Sequence, residues 1–161
     1  MVVEANMRTR FAVLFLVALA ATLPVQAQST GCVPVGGVLM TNIGAIGGVY
    51  NLGPVFGDLA GSVAANIVSA NPDGTYTLQH YWVTSTGATI LFKQAILHPT
   101  YPTTDNNIVA VPWGHYSSDI AGGTGRYIGA TGTINYFGMA DFNKATLVLR
   151  YSGTVCYQAG Q

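Results

Sequence analysis

Histidine is the side chain in this sequence best suited to move a proton near neutral pH. His80 lies in an alternating stretch, where it shares one face with Tyr76 and Trp82. Burial among these rings would lower the pKa of the imidazole and keep it neutral, which suits a general base. A histidine that only satisfies hydrogen bonds in a core is the more common case. The pattern therefore predicts His80 as the candidate catalytic residue, with a structural role as the alternative.

The other two histidines do not form a spaced set of metal ligands with His80. His98 precedes a proline in a predicted loop, and His115 lies four residues before Asp119 on an extended run, so the last two share a face. An Asp–His pair can orient a base, but no serine has the Gly-x-Ser-x-Gly setting of an elbow nucleophile. Structural hydrogen bonding is the favoured interpretation, and we expect neither a metal nor a cofactor.

A glycine-rich segment from Gly122 to Gly132 separates two strand-like runs and could be mistaken for a phosphate loop. A P-loop needs Lys followed by Ser or Thr and then a helix, and a dinucleotide fingerprint needs a βαβ unit. Neither follows, so nucleotide binding is not expected. Glycine allows positive φ and close backbone approach, which predicts a connection at a sheet rim or bend. Substitutions at Gly123 or Gly125 should then impair folding if these residues have positive φ.

The N-terminus has the pattern of an export signal. Two arginines precede an apolar run, Phe11 to Leu23, that is short for a membrane span, and small residues then offer a cleavage site after Ala27. We predict a helical signal peptide outside the fold over residues 1–27 and a single domain over residues 28–161. An uncleaved membrane anchor is the alternative, and Met7 is an alternative initiator.

The predicted mature chain carries five acidic and four basic side chains. No basic stripe exists, which argues against a nucleic-acid partner. Only 7% of the whole chain is charged, so hydroxyl and amide side chains must cover much of the surface. These features predict a secreted or periplasmic protein with no membrane association after signal cleavage.

The only two cysteines, Cys32 and Cys156, lie near the two ends of the predicted domain. Export would place them where a disulfide persists. A bridge would clamp the ends together and close a loop of more than 100 residues, which stabilises by about 4–5 kcal/mol in the chain-entropy description. A metal pair or a reactive thiol is the alternative, although two isolated cysteines make a poor metal site.

Strand signals occupy the rest of the chain. The tetrad Asn71-Pro72-Asp73-Gly74 is a turn between strands at 63–70 and 75–84, since Pro72 sets φ and Gly74 accepts positive φ. Seven or eight antiparallel strands at this spacing can close into a small barrel without exposed edges, while a sandwich fits almost as well. Further strands are predicted at 89–97, 108–120, 133–139 and 145–157, with one or two more within 36–56.

Alternation along the strands separates a face with large rings from a threonine-rich face. Leu78 lies on the first face with Tyr76, His80 and Trp82. Two further sets of alternating residues are predicted to be buried with them. These are Ile90, Phe92, Gln94 and Ile96, and every second residue from Leu147 to Val155. The aromatic members fill a core or, in a wider barrel, line a ligand cavity. The candidate ligand-binding residues are Tyr76, Trp82, Phe92, Gln94 and Tyr151.

The glycine segment also carries a family resemblance. Gly122-Gly123-Thr124-Gly125-Arg126-Tyr127 followed by Gly129-Ala130-Thr131-Gly132 resembles the Gly-Gly-Thr-Gly-x-Phe-x-x-Ala-x-Gly segment of dirigent and allene oxide cyclase barrels. The closing run from Leu149 to Cys156 resembles the last strand of bacterial secreted relatives. The similarity covers roughly residues 114–157.

This resemblance implies an all-β, calycin-like fold: an eight-stranded antiparallel closed β-barrel with a lumen. It implies binding of a small hydrophobic molecule and steering of its cyclisation without a cofactor, and a homo-oligomer, since plant members are often trimers. The chain departs from the plant pattern at Thr131, where arginine is usual, and the lumenal carboxylates have no match. The alternative is a non-catalytic exported module with a filled core that acts through its outer face or through oligomerisation.

Overall fold

The computed structural model describes residues 31–48 and 50–158, and the predicted signal peptide lies outside them. This part of the chain forms ten β-strands and one turn of 3-10 helix, and none of it forms a helix of the length and apolarity that crossing a bilayer requires. The strands are β1 Cys32–Ile46, β2 Tyr50–Gly57, β3 Gly61–Ala70, β4 Tyr76–Thr84, β5 Thr89–Phe92, β6 Ala95–Leu97, β7 Ile108–Val111, β8 Ser117–Gly123, β9 Thr131–Asp141 and β10 Thr146–Cys156.

These strands form one antiparallel sheet that closes on itself, because β10 pairs with both β1 and β9. β5 and β6 pair with successive parts of β4, and β7 and β8 pair with successive parts of β9. Each of these two pairs is one barrel strand with an interruption. The architecture is therefore a closed eight-stranded antiparallel barrel, as the sequence predicted, and the sandwich alternative is wrong.

The two ends of the barrel differ. At the closed end lie the β2–β3, β4–β5 and β8–β9 connections and the disulfide between Cys32 and Cys156, which face each other in the β1–β10 register. At the open end lie the β1–β2, β3–β4, β6–β7 and β9–β10 connections. The disulfide prediction is confirmed, and the bridge joins the first and last barrel strands.

Large side chains fill the closed half of the barrel. The Trp82 indole stacks edge-on against Tyr151 with ring centroids 5.4 Å apart and donates a hydrogen bond to the Leu59 carbonyl at 2.9 Å. The Tyr151 hydroxyl accepts a hydrogen bond from the Leu59 amide at 3.0 Å. Tyr127, in the β8–β9 connection of the glycine segment, is also fully buried. The glycine segment therefore closes this end of the barrel, which confirms its predicted position at a rim.

One predicted strand, 89–97, is broken into β5 and β6, and the break changes which side chains face inward. Against β4, Leu91 pairs with Tyr81 and Ala95 pairs with Leu78, so this segment has one residue more than β4 between the two pairs. The alternation shifts by one residue, so Ala95 is buried while Gln94 and Ile96 are exposed. The prediction that Gln94 and Ile96 belong to the buried set is wrong.

Candidate functional site in the barrel lumen

The open half of the barrel is not filled, and its cavity defines the candidate site. This mouth has a volume of about 510 Å³ and reaches down between the strands from the connections at the open end. Its wall combines aliphatic side chains with tyrosines and asparagines at the rim. The lining residues are Ile43, Gly44, Gly48, Asn51, Ile67, Tyr76, Leu78, Leu97, Tyr101, Asn106, Asn107, Val109, Val111, Ala140, Phe142 and Leu147.

A second, smaller cavity lies deeper in the lumen. It has a volume of about 40 Å³, and its wall is almost entirely carbon. It shares Asn51, Leu78, Leu97, Val111 and Leu147 with the mouth, so the two spaces are neighbours along the barrel axis. A space of this size accepts a few atoms. We call it the inner cavity.

His80 and Tyr116 stand at the wall of the inner cavity and belong to a buried polar group, the His80 cluster, with Ser118 and Tyr136. The Nε2 atom of His80 lies 2.7 Å from the Tyr116 hydroxyl, and its Nδ1 atom lies 3.1 Å from the Ser118 hydroxyl. The Tyr136 ring packs against the imidazole with centroids 4.9 Å apart. Both ring nitrogens are therefore engaged, and either tautomer satisfies both contacts.

Burial controls the protonation of this cluster. It lowers the pKa of His80 to about 4, so the imidazole is neutral at physiological pH. Burial also raises the pKa of the Tyr116 and Tyr136 hydroxyls well above their ordinary value. The neutral imidazole that the sequence predicted for His80 is the form that this environment favours.

Two buried hydroxyls near the lumen have no partner in the described part of the chain: those of Thr41 and Tyr136. Burial raises the pKa of the Tyr136 hydroxyl and Ser118 lowers it by a smaller amount, although the two hydroxyls do not form a hydrogen bond. Thr41 lines the inner cavity. The wall of that cavity is almost entirely carbon, so the Thr41 hydroxyl does not face the empty space, and Tyr136 lines neither cavity.

The structure separates the predicted ligand-binding residues. Tyr76 lines the mouth, but Trp82, Phe92 and Tyr151 are packed in the filled half and line neither cavity. Gln94 lies outside the barrel, so a place in the lumen for it is wrong. For Trp82, Phe92 and Tyr151, core filling is the role that the packing supports.

Tyr116, Ser118 and Tyr136 were not predicted as site residues. Alternation within 108–120 would have placed Tyr116 and Ser118 on one face, but the loop residues inside that run hid the signal. Asp119 lies on the outside, where it accepts a hydrogen bond from Thr133 at 2.9 Å and pairs with Lys93 at 3.6 Å. The predicted pairing of His115 with Asp119 is replaced by an edge-on contact between His115 and His98, with centroids 6.4 Å apart.

The lumen is electrically neutral in the described part of the chain, because no ionisable carboxylate, lysine or arginine lines either cavity. Four charged side chains lie at the open end, either on its connections or, for Asp141, at the end of β9. Asp73, Asp105 and Asp141 stand there with Lys144, which pairs with Asp141 at 3.0 Å. Among the described residues, no three of His, Cys, Asp or Glu are placed to hold a metal ion.

Comparison with known proteins adds little to this geometry. No protein-family model and no curated protein matches the chain. Among solved structures, a pterocarpan synthase dirigent protein aligns at 14% identity with a TM-score of 0.36, over 91% of this chain and 99% of that chain. A likeness this weak supports no conclusion about this chain. The barrel assignment rests on the strand pairing, and it is the architecture that the glycine segment implied.

Proposed function

We propose that this protein is a lumenal binder of a small hydrophobic molecule, which enters through the open end. The observation that supports this is the mouth of about 510 Å³, lined mainly by aliphatic side chains and continuous in its wall with the inner cavity. Concave, largely apolar cavities with a few polar groups are the usual form of small-molecule sites. A barrel that served only as a structural module would not need half of its lumen empty.

The resemblance of the glycine segment to dirigent and allene oxide cyclase barrels extends the proposal to steering of a cofactor-free cyclisation. His80 is the proposed proton-transfer residue. Because both of its nitrogens are engaged, a proton would reach His80 through the Tyr116 hydroxyl, 2.7 Å away, and not directly from the ligand. In this proposal Tyr116 touches the ligand and His80 acts behind it.

Binding is tested with the neutral fluorescent probe N-phenyl-1-naphthylamine. Leu147 lines both cavities, while its neighbour Thr146 is exposed on the outside of the same strand. We expect Leu147→Trp to weaken probe binding at least about tenfold because it occupies the lumen, and Thr146→Trp to leave it unchanged. Equal binding by both variants and the wild type would place the probe elsewhere and contradict the proposal.

The catalytic extension needs a ligand that is converted. Once a screen of lipophilic compounds finds one, the His80→Ala and Tyr116→Phe variants should bind it and convert it at least about 100-fold more slowly, which is the usual contribution of a positioned acid or base. Equal turnover by the His80→Ala variant removes His80 from the mechanism.

A second function, self-association, has its own support on the outer wall. Met40, Val148 and Met139 lie side by side across β1, β10 and β9 and are 48%, 43% and 50% exposed. Contiguous exposed apolar side chains of this kind mark interaction surfaces. We propose a homo-oligomer through this wall, and the resemblance to plant members, which are often trimers, favours a trimer.

Light scattering after size exclusion tests the oligomer. Val148→Lys should yield monomers, while Leu91→Lys, an equally exposed apolar site on β5, should not change the mass. A monomeric wild type at high concentration contradicts this second function without bearing on the lumen.

Export is the remaining part of the proposal. The disulfide supports it, since disulfides persist in oxidising compartments. The intact mass of the protein released by its own host should correspond to a chain that begins near Gln28. A mature protein that retains residues 11–23 would contradict the cleavage.

A further inference from the structure

The polar and apolar groups of the lumen are arranged in order of depth. The inner cavity lies farther from the open end than the mouth and has a wall almost entirely of carbon, and the nitrogens of His80, which lines it, are already hydrogen-bonded. The side-chain amides and hydroxyls that line the mouth belong to Asn51, Tyr76, Tyr101, Asn106 and Asn107. A molecule with one apolar end and one polar end therefore has a single favourable orientation.

The rim can hold a polar group by hydrogen bonding. Tyr76 and Tyr101 both line the mouth, and the neighbouring Tyr76 raises the pKa of the Tyr101 hydroxyl. Asn51 accepts a hydrogen bond from the Gly44 amide at 3.2 Å through its Oδ1 atom, which leaves the donors of its side-chain amide for a ligand. These groups can pair with a hydroxyl or a carbonyl oxygen.

A charged ligand finds no matching partner in the described part of this site. No cation lines either cavity, so a carboxylate gains no ion pair there, and three aspartates outnumber Lys144 around the open end. A cation gains no ion pair inside the lumen either, because none of these aspartates lines the mouth or the inner cavity. A group that enters the mouth with a charge would lose water without compensation.

We propose that the lumen selects a neutral amphiphile and takes it apolar end first, with its hydroxyl or carbonyl group held at the rim. This inference rests on the proposed lumenal binding and names its ligand class and orientation. The inner cavity receives the end of the hydrocarbon part, and the tyrosines and asparagines of the rim replace the water of the polar end.

Displacement of N-phenyl-1-naphthylamine by four eight-carbon compounds tests the ligand class. These are 1-octanol, octanoate, octylammonium and 1-chlorooctane. We expect 1-octanol to displace the probe at a concentration about five- to tenfold lower than octanoate or octylammonium. Its displacing concentration should also be about two- to tenfold lower than that of 1-chlorooctane, because one net hydrogen bond contributes a difference of this size. Tighter binding of either ionised compound than of 1-octanol overturns the proposal.

Two variants test the orientation. Tyr101→Phe removes a hydroxyl of the rim, and Ala65→Leu fills part of the inner cavity, which Ala65 lines. Tyr101→Phe should abolish the advantage of 1-octanol over 1-chlorooctane and leave chain-length dependence intact. Ala65→Leu should keep that advantage and bring 1-octanol down to the affinity of 1-pentanol. The proposal is overturned if Ala65→Leu abolishes the advantage of 1-octanol and Tyr101→Phe reduces the dependence on chain length, because the hydroxyl would then point inward.

The two levels of failure are distinguishable. If the probe does not bind the wild type, the proposed function itself fails. If the probe binds and is displaced equally by all four compounds, lumenal binding stands and the selection of a neutral amphiphile is wrong. Thermal unfolding of both variants checks that they are folded.

Discussion

His80 shows how one buried residue links stability to pH in this protein. Its imidazole is surrounded by the rings of Tyr116, Tyr136 and Phe92, and both of its nitrogens contact neutral hydroxyls. Nothing charged in the cluster stabilises a proton on the ring. Protonation of the imidazole is therefore unfavourable in the folded state, because the buried ring is shielded from water.

The first prediction concerns this resistance. The pKa of His80 is about 4 in the folded protein and about 6.5 when unfolded, so the unfolded chain binds the proton first as the pH falls. Stability is complete above about pH 6.5, decreases between pH 6.5 and 4, and levels off below that. We expect a loss of about 3 kcal/mol over this window in urea unfolding.

The matched variants are His80→Gln, which should lack this decrease, and His98→Gln, an exposed site on the β6–β7 connection, which should keep it. Aspartates with lowered pKa values, such as Asp73, lose their contribution only at lower pH, as they protonate. An unchanged decrease in His80→Gln would contradict the assignment to His80.

The second prediction compares two buried tyrosines. Tyr116 shares a 2.7 Å hydrogen bond with His80, while the Tyr136 hydroxyl has no partner in the described chain. Tyr116→Phe should cost about 1–2 kcal/mol because it leaves a buried ring nitrogen unsatisfied, and Tyr136→Phe should be neutral or stabilising by up to about 1 kcal/mol. Chemical denaturation measures both, and equal costs would mean that Tyr136 has a partner, such as a buried water.

Among the elements, the glycine segment contains two positions, Gly123 and Gly125, at which glycine is required for different reasons. Gly125 has a φ of +56°, as the positive-φ hypothesis required. Gly123 does not have a positive φ, and a Cβ there would collide with the carbonyl oxygen of Thr89 on the paired strand β5. The segment can cross the end of the barrel because its backbone approaches β5 more closely than a side chain allows.

This difference gives the third prediction. Gly123→Ala should destabilise by more than about 2 kcal/mol, since the backbone must shift to relieve the overlap. Gly74→Ala, in the β3–β4 turn, has a φ of +83° but open space around its Cβ position, so it should cost only about 1 kcal/mol. Thermal melts of the two variants decide the order, and a larger loss in Gly74→Ala would contradict the close approach.

At the level of the whole barrel, the disulfide joins the strands that begin and end the fold. Cys32 and Cys156 are 124 positions apart and adjacent across the β1–β10 pair, whose register continues as far as Asn42 and Thr146. We therefore expect the pairing to survive without the bridge, while the unfolded chain would gain conformational freedom.

The fourth prediction follows from this. The double variant Cys32→Ser/Cys156→Ser should fold to the same barrel but lose about 4–5 kcal/mol of unfolding free energy, the chain-entropy value for a loop of this length. Circular dichroism checks the fold, and urea unfolding under non-reducing conditions measures the loss. A loss below about 1 kcal/mol would show that the unfolded chain is already compact near these residues.

Local sequence carried most of the information on strands. Alternation placed Tyr76, Leu78, His80 and Trp82 on the inner face of β4, and the Asn71–Gly74 tetrad placed the turn before it, because both signals depend only on neighbouring residues. The break between β5 and β6 was not visible, because it depends on how that segment pairs with β4. A one-residue shift there moved Gln94 from the predicted lumen to the surface.

Composition and order along the chain were sufficient for the all-β class, the inward rings and the pairing of the only two cysteines, since these follow from short-range periodicity and from counting. The division of the lumen into a filled and an open half followed from the closure of the barrel. Trp82, Phe92 and Tyr151 alternate as Tyr76 does, yet only Tyr76 lies beside empty space, because cavity volume depends on how side chains from opposite strands meet. The contact of His80 with Tyr116, 36 positions away, arises in the same way: the fold brings together residues that no local pattern connects.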